Sequence, residues 1–134
     1  MIVLPAVVRA QADSSTSAFD VNGLKVIVRR NTANEVVAAN VYLLGGTQQL
    51  SPATQGMEAL LLAASERGTH NYPKEAVRQA TAALGSVFTV EPTEDWTRFG
   101  FTSIRATFDS TWSIFADRLT APTLDSNEVE LVRT

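Results

Sequence analysis

The segment Val36–Leu44 constrains the fold most. It is apolar apart from Asn40, carries no charge, and stops at Gly45-Gly46. A run that apolar reads as a strand covered on both faces, and covering it requires further layers of structure. The residues before it supply a hairpin. Phe19-Asp20-Val21 runs into Asn22-Gly23, a two-residue turn in which both positions tolerate positive φ, and Leu24–Arg30 returns as a β-branched strand. Asn31 to Asn34 form a polar turn into the long strand.

After Gly46 the period changes. Gln49–Thr54 is a loop holding Pro52, and Gln55–Arg67 has helical composition up to a stop at Gly68. Pro73 opens a second helix, Lys74–Leu84, closed by Gly85. Ser86–Val90 and Trp96–Ile104 are strands around the polar turn Glu91–Asp95. Thr107–Leu119 is a third helix with Phe108, Trp112 and Phe115 on one face, and Ser126 caps a fourth. That helix meets the end of the sequence at Thr134 before any stop signal, which reads as truncation. The order β-β-β-α-α-β-β-α-α predicts an α+β layered fold, with a mostly antiparallel sheet and helices packed on one face.

Composition limits the chemistry. The 134 residues suit one domain. With 11 Lys and Arg against 14 Asp and Glu, the formal charge of −3 argues against a nucleic-acid surface. No apolar run approaches the ~18 residues of a membrane span. There is no cysteine, hence no disulfide and no thiolate, and His70 is the single histidine. Residues 1–16 read as a signal remnant or as a disordered N-terminus: an apolar Ile2–Val8, the small-x-small Ala10-Gln11-Ala12, then a polar spacer. The folded part is expected over 17–134, as a partial N-terminal domain. Location is expected to be periplasmic or secreted, with cytoplasmic as the alternative.

The order Asn22-Gly23-Leu24, Gly45-Gly46, Gly56-Met57, then Arg67-Gly68-Thr69 resembles the N-terminal domain of the pitrilysin and insulinase family of zinc peptidases, which includes the mitochondrial processing peptidase. In that family a helix of form G-L-x-H-x-x-E-H closes with K-G-T. Registered on Gly56 and Gly68-Thr69, the two zinc-binding histidines fall on Ala59 and Ala63, and the catalytic glutamate on Leu62. Positions i, i+3 and i+4 share one side of a helix, which lets two imidazoles and a base converge on one metal. Two methyl groups and an isobutyl cannot. The family's N-A-x-T element falls on Thr89, Val90 and Pro92, with Asp95, Thr97 and Phe99 keeping its character. The helix with the third ligand starts near Pro122–Arg133, where a family glutamate would fall near Val132 and the ligand itself beyond Thr134.

The other polar candidates have structural explanations. His70 is expected to be a surface residue, and Glu58 and Glu66 a solvated helix edge, with Glu66 pairing with Arg67 or Lys74. Glu94 and Asp95 belong to a hairpin turn. Ser65 has no histidine at a triad spacing, and Gly45-Gly46 has no following G-K-[ST] that would make a phosphate loop. No catalytic, metal or cofactor residue is therefore assigned. The resemblance implies a non-catalytic peptidase homologue that holds or aligns an extended polypeptide beside an active zinc peptidase subunit. The alternative is a fragment of such a domain with no activity of its own, leaving an apolar face open beside Val36–Leu44 or the Trp112 helix. An active lobe that borrows ligands from another chain is disfavoured, because the family's two histidines belong to one helix.

Overall fold

The computed structural model describes residues 15–133. Most of the expected signal remnant lies outside them, while Thr16, expected in the polar spacer, opens the first strand. The chain divides into two compact units, Met1–Asn34 and Glu35–Thr134.

In the first unit, β1 (Thr16–Val21) and β2 (Leu24–Arg29) pair antiparallel across the Asn22-Gly23 turn, with Val21 opposite Leu24. Both turn residues take positive φ, 52° and 85°, and the Gly23 N–H is held by the Asp20 carboxylate at 2.8 Å. The turn therefore follows from its dipeptide.

The second unit holds β3 (Val36–Leu44), α1 (Met57–Ala64), α2 (Lys74–Leu84), β4 (Val87–Pro92), β5 (Trp96–Ile104), α3 (Phe108–Thr120) and α4 (Ser126–Arg133). All strand pairings are antiparallel, in the order β3-β5-β4, so the long central strand is β5. Helices pack on one face of this sheet. Leu62 of α1, Phe99 and Phe101 of β5 and Phe115 of α3 form the buried core, with Phe88 and Val90 of β4 against it. Phe99 stacks on Phe115 at 4.7 Å between centroids, and Phe101 meets the same ring edge-on at 5.1 Å. The expected α3 stripe forms, and Phe108 stacks on Trp112 at 6.0 Å.

One expectation fails. β3 is not covered on both faces: Val37, Ala39, Val41 and Leu43 are half-buried, while Val36, Tyr42 and Leu44 face outward and Leu44 is 85% exposed. Among the described residues β3 pairs with β5 alone, so the apolar run reflects an edge strand with one packed face rather than a central strand. Its outward face is partly self-covered, since Tyr42 meets Trp96 edge-on at 5.2 Å. Asn40 lies over Gly100, and a Cβ there would collide with the Asn40 side chain and the Ala39 carbonyl.

Boundaries shift for local reasons. The expected Gln55–Arg67 helix is α-helical only over Met57–Ala64 and tightens to a 3₁₀ turn over Ser65–Arg67. The α4 cap is Asp125, not Ser126: its carboxylate accepts the N–H groups of Asn127 (2.9 Å) and Glu128 (3.3 Å).

Candidate functional site

Helix α1 starts after Gly56, whose φ of 79° admits the chain from the preceding turn, and consists almost wholly of strong helix formers. Glu58 lies in its first turn, where a carboxylate favours the helix dipole. Leu62, 2% exposed, points into the aromatic core, and Ala59 and Ala63 sit half-buried on the same helix. Glu58 is not a solvated edge. It is half-buried, and its carboxylate accepts a short hydrogen bond from the Thr97 hydroxyl of β5.

Ser65 is fully buried; its hydroxyl donates to the Leu62 carbonyl at 2.6 Å and accepts from Arg118 Nε at 3.2 Å. Glu66 pairs with Arg118 at 3.1 Å rather than with Arg67 or Lys74. Lys74 instead binds both Glu128 oxygens at 2.9 Å, and Arg67 reaches Glu128 at 4.0 Å.

Arg118 is the residue that sequence reasoning missed. Its side chain is 1% exposed, and its guanidinium lies 4.8 Å from the centroids of both Phe88 and Phe99. Nη2 also donates to the Leu62 carbonyl at 3.2 Å. Burial pushes its pKa below the ordinary guanidinium value and Glu66 pulls it back, and the group stays charged. The only signal for it was a cation on the otherwise mixed α3, and a sequence does not show which rings will flank such a group. Above Arg118 opens a cleft of about 370 Å³ between the Ser65–Arg67 turn, α2 and Phe88 of β4; Arg67, Lys74 and Arg78 line it.

The remaining candidates are structural. His70 is exposed, and its N–H donates to the Ala121 carbonyl at 2.8 Å. Gly45-Gly46 clasps the β4–β5 turn: Gly45 N–H donates to Asp95 O at 2.8 Å, Gln48 Nε2 to Asp95 Oδ1 at 3.0 Å, and any Cβ on Gly46 would strike the backbone of Thr93–Trp96. Among the described residues, no three His, Asp or Glu side chains converge as metal ligands would.

Asp117 ties α3 to the loop after Gly68. The Thr69 hydroxyl holds its carboxyl below the usual carboxylate range; burial opposes this, and the Asn71 amide and backbone N–H, at 2.8 and 3.2 Å, add to it. A depressed carboxylate pKa stabilises the fold above the unfolded-state value of about 4, and that stability is lost as pH falls through the folded-state value. Asp117→Asn is therefore expected to flatten the acid limb of a urea-midpoint profile below pH ~4. An unchanged acid limb would show that this carboxyl does not govern it.

Comparison with known proteins places this geometry. The family model for Insulinase (Peptidase family M16) matches residues 25–134. A protease from Helicobacter pylori superposes with a TM-score of 0.76 at 20% identity, over 88% of this chain and 29% of that one. A peptidase M16 inactive domain from Pseudomonas fluorescens superposes with a TM-score of 0.78 at 17% identity, again over 88% and 29%. No curated protein matches. The chain thus spans under a third of either solved relative, and these likenesses show a shared fold. Because the family match runs from β2 through α4, the chain belongs to the insulinase (M16) peptidase family.

Proposed function

We propose that the chain is a non-catalytic family member that holds or aligns an extended polypeptide and works beside an active zinc peptidase subunit. The observation that carries this reading is the α1 surface. Where the family's His, Glu and His fall stand Ala59, Leu62 and Ala63, and Leu62 is packed among Phe99, Phe101 and Phe115. These residues do not fit a zinc ion, which needs nitrogen, oxygen or sulfur donors, and they offer no base to take a proton from water. The name of the Pseudomonas fluorescens relative, an M16 inactive domain, supports a non-catalytic role.

Polypeptide holding is supported by β4. It pairs with β5 on one side and, among the described residues, with no strand on the other, and it runs beside α1. An extended peptide can add to such an edge through main-chain hydrogen bonds. Export to the periplasm or beyond belongs to the same reading and rests on Ala10-Gln11-Ala12.

A second reading, a piece of a peptidase-family domain without independent activity, is favoured by the apolar groups left open on β3 and α3, where Val36, Tyr42, Leu44 and Trp112 are exposed.

Affinity purification from the native cell tests the first reading. The expected result is a stable complex with a sibling chain carrying H-x-x-E-H, in which peptide hydrolysis requires the sibling and the present chain alone cleaves nothing. A lone monomer that binds no extended peptide overturns it, as does zinc-dependent cleavage by the isolated chain.

A further inference from the structure

The geometry points to an acidic segment as the polypeptide that this chain holds, with its carboxylate side chains entering the cleft above Arg118. This inference rests on the strand-addition reading of β4. Neighbouring strands present opposed side chains to the same face of a sheet. A peptide on the outer edge of β4 would therefore send alternate side chains toward the helix-covered side, where Phe88 and Val90 already point. Phe88 also lines the cleft.

The cleft is cationic within a chain of formal charge −3. Arg67, Lys74, Arg78 and Arg118 line it, and Glu66 is the one carboxylate among the lining residues. The acids that pair with Lys74 and Arg78, Glu128 and Glu75, stand outside the lining, both at 2.9 Å from their partners. Arg67 is the least engaged of the four, with its partner at 4.0 Å. The hydrogen bonds of Arg118 leave from Nε and Nη2, and Nη1 takes no part in them. Guanidinium forks suit a carboxylate better than any neutral side chain, and the ring of Phe88 and the buried Val77 can take the methylene stem that carries it. A basic side chain in the same place would meet four cations against the single lining carboxylate, Glu66.

The test is fluorescence anisotropy with a short labelled peptide alternating valine with aspartate, and with its asparagine and lysine counterparts. The aspartate peptide is expected to bind about tenfold more tightly than the asparagine one, the worth of one good charge-assisted contact, and the lysine one weakest of all. The double variant Arg67→Gln, Arg78→Gln should bring the aspartate peptide to the asparagine level without moving the thermal midpoint, because both side chains are solvent-accessible. Equal affinity for the aspartate and asparagine peptides overturns the acid preference and leaves strand addition standing. An aspartate peptide that binds as well with an N-methylated backbone overturns strand addition, and the extended segment with it. No saturable binding by any of the three overturns both.

Discussion

Arg118→Ala is expected to destabilise the chain by about 3–4 kcal/mol, while Arg118→Met costs about half as much. The two variants separate what the guanidinium does. Alanine removes a group packed 4.8 Å from two ring centroids and leaves a void between Phe88 and Phe99, beside the core formed by Leu62, Phe101 and Phe115. Methionine fills much of that volume but cannot donate to Ser65, the Leu62 carbonyl or Glu66. The two ends of the salt bridge differ: Glu66 is 57% exposed and rehydrates when Arg118 leaves, whereas Glu66→Gln strips the buried guanidinium of its carboxylate and should cost about 1–3 kcal/mol. Urea unfolding with a shared m-value measures all three. A loss under 1 kcal/mol for Arg118→Ala would show that Arg118 is not the packing element between sheet and helices described above.

Arg118 also marks the limit of what could be read from sequence. Features fixed by neighbours along the chain were legible. The Asn22-Gly23 turn, the ends of β3, α2 and β5, and the Gly85 stop all lie where dipeptide and periodicity arguments place them. The antiparallel layered architecture followed from their order. Features fixed by partners far along the chain were not legible. The bonds Glu58–Thr97, Ser65–Arg118 and Glu66–Arg118 close separations of 39, 53 and 52 residues, and those of Glu58 and Glu66 replaced a solvated or local expectation. The misjudged exposure of β3 has the same origin, because an apolar run does not reveal how many neighbours a strand will have. The cleft is a product of these distant pairings: three of its four cations belong to α2 and the Ser65–Arg67 turn, and it exists because Arg118 of α3 is drawn beneath them. By contrast, α1 itself, entered from Gly56 and stopped at Gly68, was readable from composition and glycine positions along the chain.

On the proposed register, placing H-x-x-E-H at positions 59–63 should separate into two opposite outcomes. Ala59→His with Ala63→His places imidazoles at i and i+4 on one half-buried helix face, a spacing that can hold a single divalent ion. The double variant is expected to remain folded and to gain zinc-dependent stability, about 2.7 kcal/mol when free zinc stands at 100 times its dissociation constant, read as a thermal midpoint that rises with zinc. The parent chain should show no such rise. Adding Leu62→Glu should undo the fold. The substitution forfeits about 2 kcal/mol of apolar burial and sets a carboxylate against Phe99, Phe101 and Phe115, so a total above about 4 kcal/mol is expected. Protonation of the new carboxyl would relieve part of that cost, so the triple variant should be less unstable at pH 5 than at pH 8. The asymmetry follows from burial: the alanines are half-buried, whereas the leucine is part of the core. A triple variant as stable as its parent would show instead that position 62 can still face a metal site, and the case for a settled non-catalytic role would fall with it.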